Sequence, residues 1–236
     1  PLSVFFLLIV TGIALLVLAG SAPAVTRDTP GRTAPFFAIT LALLLGLSGI
    51  VLTGDLFNLY VFLEISSLSA YALVSSGDDR SGVAAFRYLI LGTLGASLYL
   101  LGLGFLYTVT GTLNMADMAT RLDTTAAPVH IAAVMITVGM GLKMAMFPMH
   151  KWLPDAYTHA SSTATALIAP IMTKVSAYVL IRVLFFVFGA AMINVALPIA
   201  KTIMWLSVVG VVVGSTMAVA QTDLKRMLAY SSVAQV

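Results

Sequence analysis

Apolar side chains fall along this chain in long runs, and polar or helix-breaking residues collect between them. Seven runs lie at Leu2–Gly20, Ala34–Leu52, Leu56–Ser76, Val83–Thr108, Val129–Phe147, Thr163–Phe188 and Leu197–Ala220, and an eighth helix starts near Thr222. Each run reaches the roughly 18 apolar residues that cross a bilayer as a helix. The short alternating segments of a membrane β-barrel do not occur in the pattern. The turns carry the expected breakers: Pro30-Gly31, Gly54-Asp55, Gly77-Asp78-Asp79, Pro128, Pro154 and Pro198. The longest connection, Val109–Pro128, contains TLNMADMATRL, which predicts a short helix in the membrane interface. The prediction is therefore all-α: a polytopic membrane helix bundle, about seven full spans plus the start of an eighth, in one membrane domain over residues 1–236.

The first run could pass for a signal peptide ending near Ser21-Ala22-Pro23-Ala24. It lacks a positive leading region and its apolar core is long, so it reads as a span. Small residues repeat at a spacing of four, as Gly92 with Ala96 and as Gly210, Gly214 and Ala218, and predict close internal helix packing. The chain begins at Pro1 without a methionine and stops at Val236 inside an apolar run. It is expected to be a piece of a longer protein.

Composition agrees with a membrane class and removes several functions. Hydrophobic residues make up 60% and charged residues 9%, with a mean hydropathy of +1.05, where soluble domains carry about 25% charged residues. The net charge of +3 is dispersed over short loops rather than clustered, so no nucleic-acid partner is expected. Zero cysteines exclude disulfides, iron–sulfur ligation and thiol catalysis within the chain. Three histidines, none paired on one helical face, argue against haem or zinc, and no cofactor or metal is expected. Alternate loops differ sharply in charge. One set holds Arg27, Arg32, Arg80, Arg87, Lys151, Lys225 and Arg226, and the other only Arg121 and Lys201. The positive-inside rule places the Lys225-Arg226 side in the cytoplasm and the Pro1 side outside, in a multi-pass plasma-membrane protein.

Charges inside the apolar runs carry the candidate chemistry. Glu64, about eight residues past Leu56, sits roughly 12 Å into its span at 1.5 Å per residue. It is either a structural partner for a buried cation or a titrating carboxylate, and intramembrane ionisable groups are functional by default. Lys143 lies in ITVGMGLKMAMFP, where Pro148 cannot donate to the carbonyl of Met144. A broken helix is expected near Phe147-Pro148, followed by a half-helix within MHKWLPDAYTHA. Broken helices near the midplane are the best sequence pointer to an ion site in transporters. Lys174 follows Pro170 by one turn, too deep to reach an interface easily. His150 and His159 flank the half-helix and titrate near physiological pH, so they can pass protons or be inert. His130 reads as structural, and Arg182 as an interfacial or phospholipid contact. A carboxylate about 4 Å from a buried amine contributes roughly 4 kcal/mol at an effective dielectric of 20, enough to decide whether that amine keeps its proton. Movement of Glu64 relative to Lys143 would thus work as a switch, with Lys174 next in line through water.

Four segments carry a family resemblance: GDLFNLYVFLEISSLSAYAL, GLKMAMFPMHKWLPDAYTHASS, APIMTKVSAYVLIRV and QTDLKRMLAYSSVAQ. In this order they resemble the antiporter-like membrane subunits shared by respiratory complex I (NADH:quinone oxidoreductase) and Mrp-type cation/proton antiporters. The wording GDLFNLYVFLE looks most like the D-type branch of the Mrp antiporters or the related complex I and membrane-hydrogenase subunits. The resemblance implies a full protein of about fourteen spans built from two inverted five-helix units. Residues 34–188 would form the first proton-channel unit and 197–236 the start of the second. By motif, Glu64 matches the family's glutamate on its fifth span, Lys143 the lysine on the discontinuous seventh, and Lys174 the relay lysine on the eighth. The implied function is proton translocation within a multisubunit membrane assembly. Its leading form is Na⁺(K⁺)/H⁺ exchange of the Mrp type, with other antiporter subunits, the lipid bilayer, protons and Na⁺ or K⁺ as partners. The alternative is a proton-pumping subunit of complex I or a membrane hydrogenase. A direct redox enzyme and a non-transporting scaffold are the competing classes.

Overall fold

The computed structural model describes residues 2–28 and 31–236. Pro1 and the expected breaker Pro30 lie outside the described residues. The chain folds into eleven α-helices among these residues, and the isolated bridge between Asp55 and Asn114 is their one β-type pairing. The helices are α1 (Leu2–Asp28), α2 (Thr33–Leu52), α3 (Leu56–Val74), α4 (Ser81–Thr110), α5 (Met115–Arg121), α6 (Ala127–Lys143), α7 (Trp152–His159), α8 (Ser162–Ile168), α9 (Met172–Arg182), α10 (Ile199–Val219) and α11 (Leu224–Ala234). Six segments are long and apolar enough to cross a membrane, and the 17-residue α6 is a shorter apolar helix. This is the polytopic helical bundle that the hydrophobic pattern predicts.

Local chemistry sets the helix starts. Asp55 caps α3 by accepting from the amides of Phe57 and Asn58, and Asn114 caps α5 by accepting from those of Ala116 and Asp117. The two caps pair with each other: Leu56 N–H donates to Leu113 O and Met115 N–H to Gly54 O, both at 2.9 Å. One end of the bundle is thereby pinned, and α5 is the short helix expected in the longest connection.

Three boundaries differ from the sequence reading. Helix α1 continues past Gly20, through Pro23, to Asp28. The fifth run ends as a helix at Lys143 rather than Phe147. The sixth run is not one helix. Pro170 lacks an amide hydrogen, and residues 169–171 form a turn between α8 and α9. Beyond Arg182 the backbone opens into a π-helical turn, closed by Gly189 N–H donating to Leu184 O at 3.0 Å.

The most extensive helix interface joins α4 to α6. Two glycines allow it. A Cβ on Gly139 would stand 2.5 Å from the carbonyl oxygen of Gly95, and one on Gly95 would stand 2.8 Å from that of Gly139. The stripes noted from sequence also serve packing, with Gly92 against Tyr71 and Gly214 against Ala234. Gly139→Ala should lower stability by about 1–3 kcal/mol, the range for overpacking a close interface. Thermal unfolding in detergent measures it, and an unchanged midpoint would show that the two helices slide apart at no cost.

Candidate functional site

Helix α3 presents Glu64, Ser67 and Tyr71 on one face, because residues spaced by three and four stack along a helix. That face meets the C-terminal end of α6. Lys143 Nζ donates to Glu64 Oε1 at 3.2 Å and to Ser67 Oγ at 2.7 Å. The lysine side chain is 5% exposed and the glutamate 25%. At 3.2 Å the pair is worth about 5 kcal/mol at an effective dielectric of 20, an upper figure because Glu64 is wet on one side. Lys143 is the last residue of α6, where free carbonyls also favour a cation. The expected Glu64–Lys143 pair is therefore present in the structure.

The helix stops at this lysine through its own backbone. Ala145 N–H donates to Leu142 O at 3.2 Å and Met146 N–H to Gly141 O at 2.9 Å, the paired bonds of a Schellman ending. Ala145 adopts φ +59°, a left-handed conformation that costs a non-glycine residue roughly 1–2 kcal/mol. A cis Phe147-Pro148 bond and a 3₁₀ turn over Met149–Lys151 lead into α7. The break predicted near Phe147-Pro148 exists, but it begins four residues earlier, directly after Lys143.

Trp152 fastens the far side of the break. It is 2% exposed, stacks on Tyr88 with ring centroids 4.0 Å apart, and donates from Nε1 to Leu142 O at 3.0 Å. Tyr88 in turn meets Tyr71 edge-on at 4.5 Å. An aromatic ladder thus runs from the Glu64 face of α3 to the broken segment.

The remaining predicted residues occupy distinct places. His150 lies inside the break, buried, ring-stacked on Phe147 at 5.5 Å, and its Nδ1 has no hydrogen-bond partner among the described residues. His159 ends α7 and places Nδ1 2.9 Å from Asp78 Oδ2 in the α3–α4 turn. That hydrogen bond, with the Arg80 amide helping, holds the Asp78 carboxyl below its ordinary 3.8. A carboxyl lowered by folding contributes fully above its ordinary range and loses its contribution as pH falls through the lowered value. The carboxylate side of this tether is thus intact at neutral pH. Lys174, on α9, is half-buried and makes no ion pair or hydrogen bond among the described residues. Its helix packs on α6, but the two lysines share no partner.

Sequence reasoning misses Ser67, the second acceptor of the Lys143 ammonium. Its spacing of three from Glu64 is the available signal. It also misses Asp155, which pairs with Arg87 at 3.0 Å and Arg226 at 3.5 Å and so ties α7 to α4 and α11. Two further buried hydroxyls, on Tyr157 and Thr173, have no partner among the described residues. No group of three or more His, Asp or Glu side chains forms a metal cluster among the described residues.

Residues 53–236 match a family model described as "NADH:quinone oxidoreductase/Mrp antiporter, TM". The chain is 54% identical over 227 residues to NADH-quinone oxidoreductase subunit N of Desulforudis audaxviator, covering 95% of this chain and 44% of that protein. It is 31% identical over 199 residues to the D-type subunit of a Na(+)/H(+) antiporter of Bacillus subtilis, covering 82% and 39%. Among solved structures, respiratory complex I from Thermus thermophilus with bound aureothin matches with a TM-score of 0.78 and 30% identity, over 99% of this chain and 48% of that one. The chain spans less than half the length of each.

Proposed function

This chain belongs to the NADH:quinone oxidoreductase/Mrp antiporter transmembrane family, and from that premise we propose that it carries a proton-translocating half-channel of an N-type subunit in a quinone-reducing membrane complex. The carrying observation is the Lys143 ammonium, buried at a helix break and shared between Glu64 and Ser67. The higher identity to an N-type subunit of a quinone oxidoreductase than to a D-type antiporter subunit supports the complex I alternative over the cation-exchange reading.

In this reading Glu64 is the element that moves. With the carboxylate at 3.2 Å, Lys143 keeps its proton. As the carboxylate withdraws, the buried amine loses its counter-charge and releases the proton toward α9. Lys174 receives it, and the hydroxyls of Thr173 and Tyr157 offer polar stations within the bundle. His150 in the break is the proposed entry residue, and His159, anchored to Asp78, holds the half-helix in place. Residues 34–188 make up the first unit and 197–236 open the second. The end bearing Arg80, Arg87, Lys151 and Arg226 faces the cytoplasm of a plasma membrane, and the partners are the other membrane subunits of the complex.

The test uses membrane vesicles that hold the full assembly. Proton uptake should follow quinone reduction in sodium-free medium. Flux that needs Na⁺ or K⁺ and runs without quinone reduction would overturn this reading in favour of the Mrp type.

A further inference from the structure

A cavity of about 480 Å³ lies between α4, α7 and α11, beside the proposed entry residue His150. Three cations, Arg87, Lys151 and Arg226, line it against one carboxylate, Asp155. Asp155 pairs with both arginines, so its single charge is shared. Lys151 is exposed, with no ion pair among the described residues. His150 forms part of the wall, nine-tenths buried and with its Nδ1 unpartnered. The cavity thus has a net positive rim.

The same cavity opens onto apolar surface. Phe86 and Ile90 line it from α4, and both are exposed. Leu94, one turn further, is exposed on the same face. These residues give an apolar wall of roughly 12 Å leading away from the charged rim, at 1.5 Å per residue. A free anion would use the rim and leave the wall bare. An uncharged lipid would use the wall and leave the excess charge unmatched.

We propose that this cleft is a binding site for an anionic phospholipid, its phosphate held by Arg87, Lys151 and Arg226 and one acyl chain laid along Phe86, Ile90 and Leu94. Basic pockets between membrane helices have the chemistry that selects such headgroups. A phosphodiester holds no proton at neutral pH, so it balances the rim without competing for transported protons. The bound lipid would bridge α4, the broken segment and α11.

Native mass spectrometry of the full-length chain from detergent tests this with phosphatidylglycerol and phosphatidylcholine of matched acyl chains. Phosphatidylglycerol should be retained about tenfold more strongly, in line with the attraction of clustered basic residues for anionic lipid. Lys151→Glu, which breaks no contact, and Arg87→Gln should each remove most of that preference with the unfolding midpoint of Lys151→Glu unchanged. Equal retention of the two lipids, retention of neither because the rest of the chain covers the wall, or an undiminished preference in both variants would overturn the site. Displacement of the lipid by excess inorganic phosphate would assign the rim to a free anion and overturn it too.

Discussion

Lys143→Met should lower proton translocation by on the order of 100-fold, the scale on which a positioned proton-transfer group contributes. Methionine nearly matches the volume of the side chain, so the α3–α6 contact stays largely filled. Glu64, a quarter exposed, is reached by water in place of its lost partner, and the bundle assembles. Lys143→Arg separates transport from architecture. Arginine preserves the charge and both hydrogen-bond acceptors, but its guanidinium does not deprotonate in proteins. Under the proposed function, the expected result is an assembled complex that reduces quinone and moves few protons. Wild-type flux in the arginine variant would show that the pair only locks helices together. Glu64→Gln gives the complementary readout, because it retains an acceptor for Lys143 while removing the charge proposed to switch it. Leaving a buried ammonium without a counter-ion costs about 3–5 kcal/mol. Flux loss that exceeds the stability loss is the signature of a moving proton.

The parts of this site that sequence reveals are those where a residue contradicts its surroundings. Glu64, Lys143 and Lys174 stand out because charge within an apolar run is expensive. Ser67 does not, since small polar residues are ordinary in membrane helices and only its spacing of three from Glu64 sets it apart from Ser66 and Ser69. The end of α6 is legible only to within a turn. Pro148 announces a break, but the left-handed residue that makes it is Ala145, where a glycine would have given the position away. Pro170 is visible, yet its effect is larger than the pattern suggests: the missing amide divides the sixth run instead of bending it. The ties of Asp155 to Arg87 and Arg226 join residues 68 and 71 positions apart (155 − 87 and 226 − 155). A single sequence offers no periodicity that pairs them. The four motifs resemble both branches of the family, so they point to the family without dividing it. The 54% identity over 227 residues to an N-type subunit, against 31% over 199 residues to a D-type subunit, supports one branch.

Trp152 links that fold to the chemistry, and its replacement is expected to have the largest structural effect. Trp152→Ala should lower stability by about 3–5 kcal/mol, the cost of deleting a large buried aromatic side chain. The indole fills the space against Tyr88 and also ties the half-helix to the carbonyl of Leu142, one residue before Lys143. Trp152→Phe divides the two roles. The ring stack survives and the Nε1 bond is lost, while Leu142 O still accepts from the Ala145 amide. Its stability cost should be only about 1 kcal/mol, the net worth of one hydrogen bond. Its effect on transport should be larger than that figure implies, because the break is held open by a strained alanine and tightened by this indole. With the tie gone, the end of α6 is free to relax, and Lys143 loses its fixed position between Glu64 and Ser67. Thermal unfolding and proton flux measured on both variants decide the matter. A phenylalanine variant that is nearly as stable as wild type yet clearly slower identifies Trp152 as a positioning residue. Parallel losses of stability and flux in both variants would reduce it to core packing.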